Sequence, residues 1–293
     1  MRATPLATPA TLDDTPAPPS ALTIFARNRL SVLGAVILLL LVIAALFAPL
    51  LAPFDPQSTR VGPRMGGPDL VHLMGTDELG RDIFSRVLFG LRISLLVGVC
   101  AAVIATVIGI VVGAFAGFFG RWIDDLLMRL TEIFIIIPRF FLAIMLVAFF
   151  GANIVNIIIA IAILSWPEIA RIVRAEYLSL RSRQYVDAAR LAGVSTTGLM
   201  FLEILPNAIG PVIVAATLQV GQAILLEAGL TYLGLGDPSR VSLGVMLHQA
   251  QQIMRIAWWA TAFPGAMIFL AVLSLNLVGD GLNDIFNPRS RGR

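Results

Sequence analysis

The sequence predicts an all-α, polytopic membrane protein. It has six transmembrane helices, an interfacial helix on the outer side and a short helix presented to the cytoplasm. Three observations carry that reading. Of 293 residues, 58% are hydrophobic and only 13% charged, against roughly 25% charged in soluble domains. Six apolar runs approach or exceed the about 20 residues that cross a bilayer. Arginine is distributed unevenly between the segments joining those runs. Mean hydropathy is +0.88, so lipid must be the solvent for most of the chain. Disorder, coiled coil, collagen and a nucleic-acid-binding domain are excluded as whole-chain readings.

The chain divides into a tail over 1–22, a first span with an outer loop over 23–74, and a core over 75–293 containing five spans. The tail is rich in Pro, Ala and Thr with no apolar period, and reads as disordered. It lacks the apolar stretch and cleavage site of a signal peptide. The first span is Ser31 to Ala52, preceded by Arg27 and Arg29. Further spans are expected at 93–119, 126–150, 153–173, 207–231 and 257–279. The third and fourth are joined by a tight turn at Gly151, Ala152 and Asn153.

Arginine placement orients them. With the N-terminus inside, Arg2, Arg27, Arg29, Arg121, Arg129, Arg171, Arg174, Arg181, Arg183, Arg190, Arg289, Arg291 and Arg293 are cytoplasmic. Arg60, Arg64, Arg81, Arg86, Arg92, Arg139, Arg240 and Arg255 are not. The bias of 13 to 8 places both termini in the cytoplasm. The net charge of +3 therefore reflects topology rather than a nucleic-acid partner. All 21 basic residues are Arg, so the chain lacks the lysine of an ordinary phosphate-binding loop or of a Schiff-base enzyme. The single Cys100 permits no intrachain disulfide.

Before the second span, residues 75–94 predict an amphipathic helix lying at the interface. Thr76 or Asp77 would cap it, with Glu78 in the first turn. Glu78, Arg81, Asp82, Ser85 and Arg86 form its polar face, with Asp82 and Arg86 four apart; Ile83, Phe84, Val87, Leu88 and Leu91 form its apolar face. Such a helix either supports the bundle or docks a partner. In the second span Ala101, Ala105, Gly109, Gly113 and Gly117 recur every four residues. This small-residue ridge lets another helix approach closely, either inside the bundle or at a subunit contact.

Charges inside spans are costly unless they face protein or water. Glu132 and Arg139 lie seven apart, about two turns on one face of the third span. They either pair structurally or line a path. Glu168 beside Pro167 reads as structural, and Glu227 lies near the outer end of the fifth span. No catalytic or metal set emerges. His72 and His248 are the only histidines and have no ligand-spaced partner. No Gly-x-Ser-x-Gly elbow is present. The proximity of His72, Asp82 and Ser85 is the kind expected by chance.

The longest cytoplasmic segment, about 174–206, carries the most specific signal. Tyr185 to Gly193 predicts a helix with a thin side at Ala188, Ala189 and Ala192, ended by Gly193 in a left-handed conformation. Ser195 would cap a second short helix, and Pro206 marks re-entry into the membrane. Asp187-Ala188-Ala189, Gly193 and Leu205-Pro206 match the spacing that marks permease subunits of ATP-binding-cassette importers. In that pattern Glu is usual at the position of Asp187, and Ile at the position of Glu203. The segment His72 to Asp82 with Ser85-Arg86 resembles the opening signature of the C-type subunit in the dipeptide, oligopeptide and nickel branch. Glu227 to Gly236, Phe263-Pro264-Gly265 and Asn276 to Asp284 resemble its later segments. Leu243 stands where that branch often has Trp. The resemblance covers about residues 22–290.

The resemblance implies a six-span permease of the bacterial or archaeal cytoplasmic membrane. It pairs with a second, related permease to form the path. Two ATPase subunits, holding ATP and Mg, dock on the helix at about 184–194 and its counterpart. An external solute-binding protein delivers a peptide or related solute, nickel chelates and glutathione among the alternatives. For Glu227 it implies a place at the outer gate. Competing readings from the residues alone are an intramembrane enzyme using Glu132 or Glu227 as an acid, and a scaffold binding through the glycine ridge.

Overall fold

The computed structural model describes residues 20–286. The tail expected over 1–22 lies mostly outside the described residues. Its last part does not, because Ser20 caps α1 (Ala21–Arg27) through the Thr23 N–H. Asn28 then caps α2 (Arg29–Leu46), the first span, and the four-residue α3 (Ala48–Leu51) follows it. A long irregular segment leads to α4 (Ile83–Phe119). After it come α5 (Arg121–Ile136), α6 (Arg139–Phe150) and α7 (Ile154–Leu180). The arm α8 (Gln184–Leu191) precedes α9 (Thr196–Gly198), which runs through a π-helical stretch at Leu199–Ile204 into α10 (Leu205–Leu230). A second π-helical stretch at Thr231–Leu235, α11 (Leu243–Ala250) and α12 (Trp259–Phe286) complete the described residues.

Helix–helix contact builds the bundle. The small-residue face of α4 packs on α7, where Ala101 and Ala105 are wholly buried and Gly109, Gly113 and Gly117 are buried too. A Cβ added at Gly113 would fall 2.7 Å from the Val173 Cβ, and one at Gly117 2.8 Å from the Arg174 carbonyl oxygen. The ridge thus serves packing within this chain. α10 and α12 close on α4 and α2, respectively. At the end where α8 lies, Asn28 Nδ2 donates to Asp284 (3.1 Å) and Phe286 covers Gly210. The first and last described helices therefore meet at that end.

Three expectations are corrected. The run 126–150 is not one straight span: α5 and α6 meet at 86°. Pro138 disfavours helix at the residue before it, and Ile137 is extended (φ −79°, ψ 127°). Among the described residues, five helices are long and apolar enough to cross a membrane, or six if this bent pair is one span. Secondly, no helix starts at Thr76 or Asp77. Gly75 and Gly80 have positive φ (74° and 69°), Thr76 pairs with Asp82 in an isolated bridge, and Asp82 is the cap. What was expected as a separate interfacial helix is the first part of the 37-residue α4. Thirdly, the helix begun by Ser195 is not a separate short one but continues through the π-helical stretch into α10, where Pro206 follows directly on that stretch.

Candidate functional site

The arm at the α8 end is rooted by long-range polar contacts. Arg181, the C-cap of α7, donates from Nη1 to the carbonyl oxygens of Gly117 (3.0 Å) and Phe118 (3.3 Å), the orphan acceptors at the end of α4. Tyr177 is fully buried, and its hydroxyl donates to the Met200 carbonyl (2.8 Å). Arg174 grips Asp124 at the start of α5 with two parallel bonds, Nε to Oδ1 at 2.5 Å and Nη2 to Oδ2 at 2.6 Å. Sequence reasoning missed these contacts. Their partners lie 23 to 64 residues apart, and local spacing carries no trace of such pairs.

α8 projects from that root. Val186 is buried against the π-helical stretch and Ala189 packs partly inward. Asp187, Ala188 and Ala192 are exposed, and Leu191 is 90% exposed. Gly193 ends the helix at φ 84°, and the Val194 N–H returns to the Ala189 carbonyl (3.1 Å). Asp187 pairs with Arg190 (3.3 Å) at the surface, a contact worth little because water screens it. Partial burial pushes the Tyr185 phenol up, opposed by the neighbouring Asn207. Leu205 is partly buried against the same cluster as Val186. The arm presents a small, partly apolar exposed surface on a stiff base.

At the other end the segment 75–86 is a polar knot. Asp77 accepts the N–H groups of Leu79 and Arg81 (2.9 Å each) and Arg81 Nε (2.6 Å). The expected Asp82–Arg86 pair is absent. Asp82 Oδ2 instead accepts the Ser85 N–H and hydroxyl (2.7 Å each), and its Oδ1 faces His72 Nδ1 at 3.0 Å. The buried Arg86 donates to Gln249 Oε1 (2.7 Å), which Arg81 also reaches (3.0 Å). Thr76 is buried, with its hydroxyl on the Pro63 carbonyl, and its carbonyl accepts Trp259 Nε1 (3.2 Å). Glu78 is half-buried beside Arg81. His72, Asp82 and Ser85 do meet, but the carboxylate lies between the other two and the Ser85 hydroxyl accepts the Phe54 N–H (3.2 Å). That order gives no activated nucleophile. The knot ties the loop 52–82 to α4, α11 and α12.

Within the bundle, Glu132 and Arg139 lie on different helices and do not pair, because the bend separates them. Arg139 is ion-paired with Glu168 of α7, and its Nη1 reaches Gln222 Oε1 of α10 (3.3 Å). Glu227 is buried and accepts the Ser94 hydroxyl (3.0 Å), which joins α10 to α4. Asp125, Arg129 and Glu132 of α5 face Arg171 and Arg174 of α7 across a cleft of about 640 Å³.

A helix bundle with an apolar exterior, an open charged cleft between α5 and α7 and a rooted, exposed arm at one end has the form of an integral membrane subunit. Residues 109–292 match the model of the binding-protein-dependent transport system inner membrane component. The chain belongs to that family, the permeases of ATP-binding-cassette importers. Residues 20–65 match the N-terminal transmembrane domain of oligopeptide transport permease C. The dipeptide transport system permease protein of Alkalihalophilus pseudofirmus is 39% identical over 266 residues, covering 90% of this chain and 88% of that protein. The di/tripeptide permease of Pseudomonas aeruginosa is 43% identical over 272 residues, 90% of each. The glutathione transport permease of Escherichia coli O157:H7 is 40% identical over 270 residues, 92% of this chain and 89% of that one. These relationships give no support to an intramembrane enzyme or a scaffold.

Proposed function

We propose that this permease forms half of the path of a peptide importer, with a second, homologous permease forming the other half. The observation that carries the coupling reading is α8, whose exposed Asp187, Ala188 and Leu191 stand on a base fixed by Arg181 and Tyr177. The α8 helix, Gly193 and the turn to Leu205 and Pro206 dock one of two ATPase subunits. ATP and Mg belong to those partners, and the peptide bonds of the cargo stay intact in passage. An external solute-binding protein delivers cargo at the end closed by the 75–86 knot. Both termini are cytoplasmic, as the arginine bias favours. Glu132 and Arg139 line the path, and Glu227 supports the outer gate. The peptide cargo is supported by the relatives named for dipeptide and di/tripeptide transport. Glutathione, itself a tripeptide, is the cargo of another named relative.

The test is isolation through a tag on this chain, followed by reconstitution. Two ATPase chains and a second permease should co-purify, and peptide-loaded binding protein should stimulate ATP hydrolysis and uptake. A chain that reaches the membrane but recruits no ATPase would overturn the reading.

A further inference from the structure

The Arg139–Glu168 pair occupies an unusual place. Glu168 lies 14 residues after the start of the 27-residue α7 and 12 before its end. At 1.5 Å per residue it stands about 18 to 21 Å from either end. The pair therefore lies within the helix rather than at its ends, five residues inside the cytoplasmic limit of the expected 153–173 span and within a hydrocarbon layer about 30 Å thick. Yet the Glu168 side chain is 45% exposed and that of Arg139 27%. Charges at that depth cannot face lipid without a large penalty, so this face of the chain looks onto water or protein.

The surroundings continue the same chemistry toward the α8 end. Glu168, Arg171 and Ala175 share one face of α7 at helical spacing and are all exposed. Asp125, Arg129 and Glu132 do the same on α5, opposite Arg171 and Ala175 across the cleft. A charged track thus descends from within the span to the root of the arm, with the Arg139–Glu168 pair at its head. Gln222 stands beside the pair on α10.

We propose that this pair is a waypoint for zwitterionic cargo. On opening, Arg139 takes the terminal carboxylate and Glu168 the terminal ammonium of a short peptide. A dipeptide spans at most about 7 Å, so its two charges fit between side chains now in contact after a modest separation. The exchange conserves charge pairing: one ion pair opens and two form, then the reverse. The pair also closes the head of the track when no peptide is present. The proposal rests on the peptide-importer reading.

The experiment uses the full complex isolated through this chain, with dialanine as the probe. Wild-type uptake of dialanine tests the importer reading first and separately. In a Cys100→Ser background, Gln222→Cys leaves both charges of the pair in place. A charged, water-soluble thiol reagent should label Gln222→Cys but not Phe149→Cys, which stands on the exposed apolar surface of α6. Dialanine during turnover should slow labelling at 222 by at least about threefold. Arg139→Gln and Glu168→Gln should each cut dialanine uptake by about tenfold, the worth of one lost charge contact of about 1.4 kcal/mol. Stimulation of the ATPases by loaded binding protein should persist, which a merely structural defect would not allow. Absence of labelling at 222 would overturn the wet track. Labelling indifferent to dialanine, or full uptake by both variants, would overturn the waypoint.

Discussion

The Tyr177 hydroxyl donates to the Met200 carbonyl across the root of the arm, joining the helix that enters it to the stretch that leaves it. Both residues are almost wholly buried, so water cannot replace the bond. Met200 sits in a π-helical stretch, and its carbonyl accepts the Leu205 N–H as well as the Tyr177 hydroxyl. Tyr177→Phe removes one of the two bonds and should cost about 0.5–1.5 kcal/mol. Thermal unfolding of the purified complex should show the loss, and ATPase stimulation should fall with it. An unchanged unfolding temperature would mean that the two legs are held by apolar packing alone.

Gly193 has φ 84°, and an added Cβ would meet nothing within 4 Å. The cost of substitution is therefore conformational within this chain and steric only against a docked partner. Gly193→Asn, which tolerates the left-handed region, should keep most activity. Gly193→Trp should insert normally and lose stimulated ATP hydrolysis and uptake. Equal activity of the two variants in reconstituted complexes would remove the arm from the coupling scheme.

At Gly113 the space is filled by Ala170 and Val173. Gly113→Leu should destabilise the bundle by about 1–3 kcal/mol or more through overpacking. Val111→Leu, on the exposed side of the same helix, should be near neutral. Yields of monodisperse complex give the comparison, and similar yields would contradict the close approach of α4 and α7.

Asp77 collects two backbone donors and Arg81, with Arg86 Nη1 at 3.9 Å. Asp77→Ala strands two poorly exposed guanidinium groups and should cost about 3–5 kcal/mol. Limited proteolysis should then cut within 53–82, where the wild type resists.

Single cysteines at Ser58, Ser182 and Ser239 in the Cys100→Ser background report sidedness. Ser182 should label only from the cytoplasm, and the other two only from outside. Labelling of the Ser182 position from outside alone would invert the topology.

Much of this architecture is local and was legible in sequence. The spans follow from apolar runs, the left-handed turn from Gly193, and the close α4–α7 approach from a four-residue repeat of small side chains. The bend at Ile137 and Pro138 was equally local, yet the apolar run concealed it because composition does not register direction. Arg139 was assigned a partner by helical spacing. The actual partner, Glu168, lies on the next helix, brought near by the reversal at Gly151–Asn153. The 75–82 segment has the charge pattern of an amphipathic helix. Two glycines with positive φ and a web of bonds from Asp77 and Asp82 make it a knot instead, and the donors at Trp259 and the acceptor at Gln249 lie far along the chain.

The 37 residues of α4 run unbroken from the knot to the arm, a strut about 56 Å long. Its lower half is keyed into α7 by the glycine ridge, while its upper end carries Ser85 and Arg86 inside the knot. A rod held this way has no compliant joint between its ends. A tilt of one degree, pivoting at the foot, displaces the head by about 1 Å. Small rotations applied at the foot of α4 thus arrive at the far face as bond-length-scale shifts, with no intermediate hinge along α4 to absorb them.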